Sequence, residues 1–367
     1  MTTDNKFWGW LGHDRSSANG NMVWGQYAPK PFETRDIEIR VTHCGVCGSD
    51  LHHLRSGWRP ADYPLCVGHE IVGLVVRVGS AVTDISLGDR VGVGAQSGAC
   101  LNVAGDCPAC AKGIEQYCPQ HTITYDARFP DGSKANGGYA DLWRGPAAFA
   151  FAIPDSIPSD WAASMLCGGI TAFTPLLEHH AGPGKRVGVI GIGGLGHFAI
   201  IAAKALGCDE IVAISRSSSK RKDAFEMGAT KFIATNEDKN WETSEGCKLD
   251  LILCTVSSAD MPIEGYIGLL DLNGHFVQLG APEDKTPPFS MFILLSRHRS
   301  MSGSLIGGRR QIRYMLDFFA ERKIRPWVVN IPMRDANKAI QDFEKGAPRY
   351  RYVLVNEENL NWARWGC

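Results

Sequence analysis

The sequence predicts an α/β chain of two domains, one β-rich and one built on a doubly wound parallel sheet. Three observations predict it. Up to about residue 160 the chain carries β-branched runs broken by glycine. From Lys185 onward, strand-like runs alternate with short helical patterns, as βαβ units do. At the start of that second region, residues 187–202 pass from an apolar run through a glycine cluster into apolar helical periodicity. A length of 367 residues accommodates two domains of roughly 150 residues each.

Taken in order, residues 36–41 alternate polar and apolar and read as a half-buried strand. Residues 71–79 and 89–94 are further strands, and their glycines suggest the bulges and turns of an antiparallel, barrel-like sheet. Pro154, Pro158 and Ser159 mark the passage into helical patterning over 161–177. In the second region, 211–214 is a strand, and 220–227 a helix stopped by Gly228. Residues 249–254 are a strand, 264–270 a helix and 274–280 a strand. A helix over 311–322 then leads to a last strand, 350–355, which is expected to rejoin the first domain. The first domain is therefore read as discontinuous, 1–160 with 306–367, and 161–305 as an inserted domain.

The glycine cluster is a G-x-G-x-x-G turn made by Gly191, Ile192, Gly193, Gly194, Leu195 and Gly196. Gly191 permits a tight turn, Gly193 lets the backbone approach a pyrophosphate, and Gly196 lets the helix lie close on its strand. The free N–H groups of the helix start attract the phosphate charge. About 20 residues on, an NAD-binding chain carries an acid for the ribose 2′-hydroxyl. Here Ser215, Arg216, Ser217, Ser218, Ser219 and Lys220 occupy that position, with no acid before Asp223. Arg216 and Lys220 can pair with a 2′-phosphate and the serines can donate to it, so the sequence argues for NADP over NAD.

Composition narrows the function further. A net charge of −1 argues against a nucleic-acid surface. No apolar run approaches the ~18 residues of a membrane helix. The first residues lack a basic segment followed by an apolar core, so no secretory leader is expected. The 12 cysteines are then expected in a reducing, cytoplasmic setting, where clustered thiols bind metal or do chemistry.

Two groups of residues have metal-ligand character. Cys100, Cys107, Cys110 and Cys118 fall within nineteen residues of loop-like sequence and include a C-x2-C knuckle, the composition of a closed structural Zn²⁺ site. The second group is dispersed. The segment 44–52 offers a thiolate, from Cys44 or Cys47. His69 and Glu70 offer an imidazole and a carboxylate, and Cys167 a second thiolate. Two thiolates and an imidazole, with one position open or taken by Glu, suit a Lewis-acid zinc acting on an alcohol or carbonyl oxygen.

With these motifs in this order, from about Asp36 to Val355, the chain resembles zinc-dependent medium-chain alcohol dehydrogenases, closest to their NADP-dependent cinnamyl alcohol dehydrogenase branch. The resemblance implies a β-rich GroES-like catalytic domain and a Rossmann nucleotide-binding domain. It implies Cys47, His69 and Cys167 as catalytic zinc ligands with Glu70 as fourth or exchangeable ligand, leaving Cys44 as a neighbour. It implies Asp50 as a residue that orients the ligands, Ser49 and His52 as a proton relay, Thr171, Thr255 and Gly280 as further cofactor contacts, and a homodimer. The sequence departs from the family pattern twice. Ala104 stands where the family has its first lobe thiol, so Cys100, separated from Cys107 by six residues, is taken to serve. Ile123 stands where lignin-pathway members often have Trp, which implies a broader range of aromatic and medium-chain aldehydes. Trp58, Ile123, Tyr125, Phe292 and Leu305 are candidate pocket walls. The expected reaction is NADPH-driven reduction of an aldehyde to an alcohol. The competing readings are a C=C or C=N reductase on the same fold and a non-catalytic zinc and nucleotide binder. Retention of every ligand and relay residue argues against both.

Overall fold

The computed structural model describes residues 6–243 and 248–360, so the ends of the first domain, including the N-terminal residues read for a leader, lie outside the described residues. Two compact units result. One comprises Met1–Cys167, Gly307–Glu321 and Trp327–Cys367, and the other Gly168–Ile306 and Arg322–Pro326.

The first unit is organised around the strand Asp36–Gly45. It pairs antiparallel with Ile71–Val78 along one edge. Along the other it pairs with Leu142–Pro146 and then with the returning strand Arg351–Val355. The sheet continues through Arg90–Val93 to Ala150–Ala152 on one side and ends at Val328–Pro332 on the other. That last pair, Val328–Pro332 with Arg351–Val355, is parallel, a departure from the all-antiparallel expectation.

The central strand also corrects the half-buried expectation. Its inward Ile37, Ile39 and Val41 are buried, and so are Asp36 and Glu38. These carboxylates are tolerated because each has a buried cationic partner. Arg144 Nε donates to Glu38 at 2.9 Å, and Lys30 pairs with Asp36. An unpaired charge in such a place would cost several kcal/mol. Polar alternation thus marks paired charges here and not a solvent face.

The second unit is a six-stranded, wholly parallel sheet among the described residues. Its spatial order is Lys231–Ala234, Glu210–Ser215, Arg186–Ile190, Leu249–Cys254, Leu270–Gln278 and Ser300–Gly303. The order reverses at Arg186–Ile190, beside which doubly wound sheets bind their ligands, at the carboxyl ends of the strands. Helices cover the sheet, which explains the nearly continuous apolar runs at 187–190 and 249–254. Arg186 pins the opposite, amino-terminal edge by forking to Asp250 at 2.8 Å and Asp271 at 3.0 Å. The helix expected over 264–270 is Ile263–Gly268, because Leu270 already pairs with Leu249 and opens the next strand. The short strands Lys231–Ala234 and Ser300–Gly303, each only four residues long, were not expected. No helix among the described residues is long and apolar enough to cross a membrane.

Candidate active site and cofactor site

Cys47 ends the loop after the central strand and caps the helix Gly48–Leu54. Its backbone N–H donates to Asp50 Oδ2 at 2.9 Å. The other oxygen of Asp50 accepts from the Gly68 N–H at 3.1 Å, and Tyr139 Oη donates to Oδ2 at 3.0 Å. One buried carboxylate thus ties the Cys47 turn to the turn before His69. Gly68 has φ +98 and a Cβ there would lie 2.4 Å from the Tyr139 ring, so that turn requires glycine. Cys167 arrives from a different segment, inside the π-helical turn Met165–Gly169, a local irregularity that often accompanies functional sites.

The ligand atoms of Cys47, His69, Glu70 and Cys167 lie within 4.8 Å of one another, and all four residues are buried. The Cys47 and Cys167 sulfurs are 3.8 Å apart. A tetrahedral zinc with Zn–S bonds of about 2.3 Å would set its sulfurs about 3.8 Å apart. His69 Nε2 and Glu70 Oε2 are buried without a hydrogen-bond partner. Such atoms are costly unless something satisfies them, and a cation among two thiols does so. The residues fit a zinc ion.

The electrostatics are those of a cation site. The Cys167 thiol and the His69 imidazole hold the Cys47 sulfur well below the usual thiol range, against its burial. Burial would lower His69, but the Cys47 charge and the Asp50 and Glu70 carboxylates outweigh it and raise it to about 9. Burial pushes Glu70 up to about 7, offset in part by Arg351. Arg351, on the returning strand and itself buried, pairs with Glu70 Oε1. Sequence reading missed this arginine. The available signal was a cation on an otherwise apolar strand.

Ser49 Oγ lies 3.7 Å from the Cys47 sulfur. His52, one turn along the same helix, stacks on Trp58 with ring centres 4.4 Å apart, and its Nδ1 is 3.3 Å from Arg55. Tyr125 stacks face to face on His69 at 5.3 Å. Ile123 lies in the two-residue strand Thr122–Ile123. Phe292 and Leu305 belong to the second unit, where both are exposed.

The four lobe cysteines form the second cluster, with sulfurs also within 4.8 Å of one another. Cys100 is 3.6 Å from Cys110 and 3.5 Å from Cys118, and Cys107 is 3.8 Å from Cys118. The left-handed residues Leu101 and Asn102 curl the chain back after Cys100, and Asn102 Oδ1 accepts the Cys107 N–H. This curl spans the long Cys100–Cys107 interval and brings Cys100 into the cluster. Burial raises the Cys118 pKa, but the Gln120 N–H and the neighbouring thiols outweigh it and bring Cys118 down to about 7. These separations also match the tetrahedral zinc edge of about 3.8 Å.

In the second unit, a cavity of ≈ 540 Å³ opens at the carboxyl ends of the strands. Gly191, Ile192, Gly193, Ser215, Arg216, Lys220 and Thr255 line it. Gly191 has φ +84. A Cβ on Gly196 would lie 1.9 Å from Gly191 O, so only glycine lets the helix Gly194–Leu206 sit this close. A Cβ on Gly193 meets nothing within 4 Å, so this residue faces open space where a pyrophosphate would approach. Gly194 and Leu195 open the helix. Thr255 Oγ1 donates to Ile190 O and Gly191 O and braces the turn. Lys220 Nζ donates to Ile192 O at 2.7 Å.

Ser217, Ser218 and Ser219 follow in the turn leading to Lys220, and the Ser218 N–H donates to Glu237. Thr171 and Gly280 are not among the cavity-lining residues. Thr171 is buried in the helix Ile170–Glu178, and Gly280 packs against the Val256 backbone. Asn236, Trp241 and Tyr266 line the cavity and were not foreseen. They come from a loop, a short turn at Trp241–Thr243 and the helix Ile263–Gly268, whose relative positions only the sheet order fixes.

The alcohol dehydrogenase GroES-like domain matches residues 33–155, and the zinc-binding dehydrogenase domain matches residues 194–321. The NADP-dependent alcohol dehydrogenase 6 of Saccharomyces cerevisiae is 38% identical over 90% of this chain and 91% of its own. The chain belongs to the zinc-binding alcohol dehydrogenase family. Cinnamyl alcohol dehydrogenase 2 of Arabidopsis thaliana is 38% identical over 96% of this chain and 92% of its own. Among solved structures, a cinnamyl alcohol dehydrogenase from Sorghum bicolor superposes on this dehydrogenase fold with a TM-score of 0.89 at 33% identity, covering 95% of this chain and 97% of that one. Another, from Helicobacter pylori and complexed with NADP(H), gives 0.88 at 29% identity, covering 96% and 99%.

Proposed function

We propose that this chain reduces aldehydes to primary alcohols with NADPH, and catalyses the reverse, in a zinc-dependent reaction. The observation that carries the reading is the buried quartet of Cys47, His69, Glu70 and Cys167, whose unpartnered imidazole and carboxylate atoms sit beside a thiol pair at zinc-ligand separation. Zinc held there supplies Lewis acidity to the substrate oxygen, and NADPH supplies the hydride.

The protein's own groups have distinct tasks. Cys47, His69 and Cys167 hold the metal, while Glu70, tethered by Arg351, serves as the exchangeable fourth ligand. Asp50 fixes the Cys47 and His69 turns relative to each other. Ser49 Oγ, beside the ligand sulfur, is the hydroxyl through which the substrate proton moves, and His52 takes it toward the surface. Arg216 and Lys220 pair with the 2′-phosphate, and the Gly191–Gly196 turn receives the pyrophosphate. Cys100, Cys107, Cys110 and Cys118 hold a second, structural zinc. Tyr125, Trp58 and Ile123 give the substrate an aromatic and aliphatic surround suited to aromatic and medium-chain aldehydes.

The protein is proposed to act in the cytoplasm as a homodimer. The strand Ser300–Gly303 ends its sheet and is exposed along its length, beside the exposed Met291, Phe292, Leu295 and Leu305. An edge strand flanked by apolar side chains is the surface a second copy can cover.

The test is NADPH oxidation with a panel of aldehydes, alongside NADH and the variant Arg216→Ala. Turnover of several aldehydes is expected with NADPH and little with NADH. Loss of charge-assisted bonds to the phosphate should raise the KM for NADPH by about tenfold to a hundredfold and leave the NADH rate unchanged. Reduction of enones or imines in place of aldehydes would overturn the reading.

A further inference from the structure

The amino-terminal edge of the parallel sheet, opposite the strand ends that form the nucleotide cavity, holds a cavity of ≈ 600 Å³. Its lining includes Glu178, His179, His180, Asp250, Asn273 and His275. None of the proposed chemistry uses it. His179 caps the end of the helix Ile170–Glu178, and His275 projects from the strand Leu270–Gln278. Their ring centres are 4.7 Å apart, with planes tilted by 40°. His180 follows in a left-handed conformation, φ 55. Asn273 Oδ1 lies 2.6 Å from Nδ1 of His298, which adds a fourth histidine at the rim.

We infer that His179 and His275 form a binding site for a divalent transition-metal ion, separate from both cysteine clusters. Imidazole suits zinc, copper and nickel. Imidazole nitrogens bind at about 2.0–2.1 Å, which puts each ring centre about 3.2 Å from the metal. Two rings subtending about 90–109° at one ion are then about 4.5–5.2 Å apart, the range in which this pair falls. The pair joins two elements distant in sequence, as a bridging ion does. His180 and Glu178 line the same cavity, so the remaining coordination positions fall to water. Asp250 is committed to Arg186 and is not required as a ligand, and Lys185 also lines the cavity. The surroundings also keep His179 in the neutral, ligating form, since burial lowers its pKa and the two neighbouring histidines lower it further. An ion bound here clamps the end of the helix to the sheet, so it stabilises the second unit by mass action.

The experiment uses the tag-free full chain with both cysteine clusters loaded with zinc. Nickel chloride is titrated calorimetrically, and metal content is measured after equilibrium dialysis. The expected result is one equivalent of nickel taken up with no loss of zinc, together with a rise in the thermal midpoint. His179→Gln or His275→Asn should weaken nickel binding at least tenfold, while His13→Gln leaves it unchanged. NADPH binding by the same variants shows that they are folded. Three outcomes would overturn the inference: no nickel uptake, uptake matched by zinc release, or uptake unaltered in the His179→Gln/His275→Asn double variant. None of them depends on the aldehyde reductase reading.

Discussion

The two cysteine clusters share a sulfur spacing and differ in almost everything else. The lobe cluster draws all four ligands from one short stretch, and two of its cysteines are partly exposed. The Cys47 cluster draws on three separated segments and is wholly buried. It mixes thiol, imidazole and carboxylate, and a buried arginine reaches into it. Four equivalent thiolates close a coordination sphere and leave no place for substrate. Two thiolates, one imidazole and a tethered carboxylate leave one position that can exchange. On the proposed reading, the first arrangement would staple a loop with little core of its own, and the second would serve the reaction.

That contrast breaks most directly at its ligands. Cys47→Ala should lower aldehyde turnover by about a thousandfold or more, since several kcal/mol of charge stabilisation are lost with the metal. Metal analysis should show one zinc missing and circular dichroism an intact fold. Asp50→Asn keeps the ligands but weakens the clamp between the Cys47 and Gly68 turns. Zinc affinity at that site, measured by competition with a chelator, should fall about 10–100-fold, with kcat falling alongside.

Cys100→Ala should do the reverse of Cys47→Ala. One zinc is lost and the thermal midpoint drops by several degrees, while kcat of the folded fraction changes by less than about twofold. A collapse of kcat with an unchanged midpoint would erase the distinction between staple and reactive site.

The smallest effect concerns the sheet beneath the reactive cluster. Burial holds His43 down to about 4 from its usual 6.5. Between those values the unfolded chain binds a proton that the folded chain does not. Stability therefore rises with pH across this window and is lost on acidification, at no more than about 1.4 kcal/mol per pH unit. Urea unfolding at several pH values should show that slope in the native chain and a reduced one in His43→Gln.

Legibility in the sequence follows the same divide. The lobe thiols and the Gly191–Gly196 turn are local, so spacing and periodicity carry them. The doubly wound sheet was legible for the same reason, because each strand–helix alternation is a nearest-neighbour signal. Cys47, His69 and Cys167 meet only through the fold, and residue patterns left Cys44 and Cys47 undivided until the family resemblance separated them. Tyr139 gave no local signal, and Arg351 only that of a cation on an apolar strand, since their roles arise from what the sheet packs beneath them. The buried pairs of Glu38 with Arg144 and Asp36 with Lys30 misled the pattern reading, because alternation reports polarity and not exposure.

The central claim is that one zinc acts in the reaction and the other only in the fold. The most direct measurement follows NADPH oxidation by an aromatic aldehyde while a chelator removes zinc stepwise, with thermal stability and metal content tracked on the same samples. The account predicts that in Cys100→Ala, activity per folded molecule follows the single remaining zinc, and that Cys47→Ala is inactive with its lobe zinc retained. Aldehyde turnover by Cys47→Ala comparable to that of the native chain would contradict it.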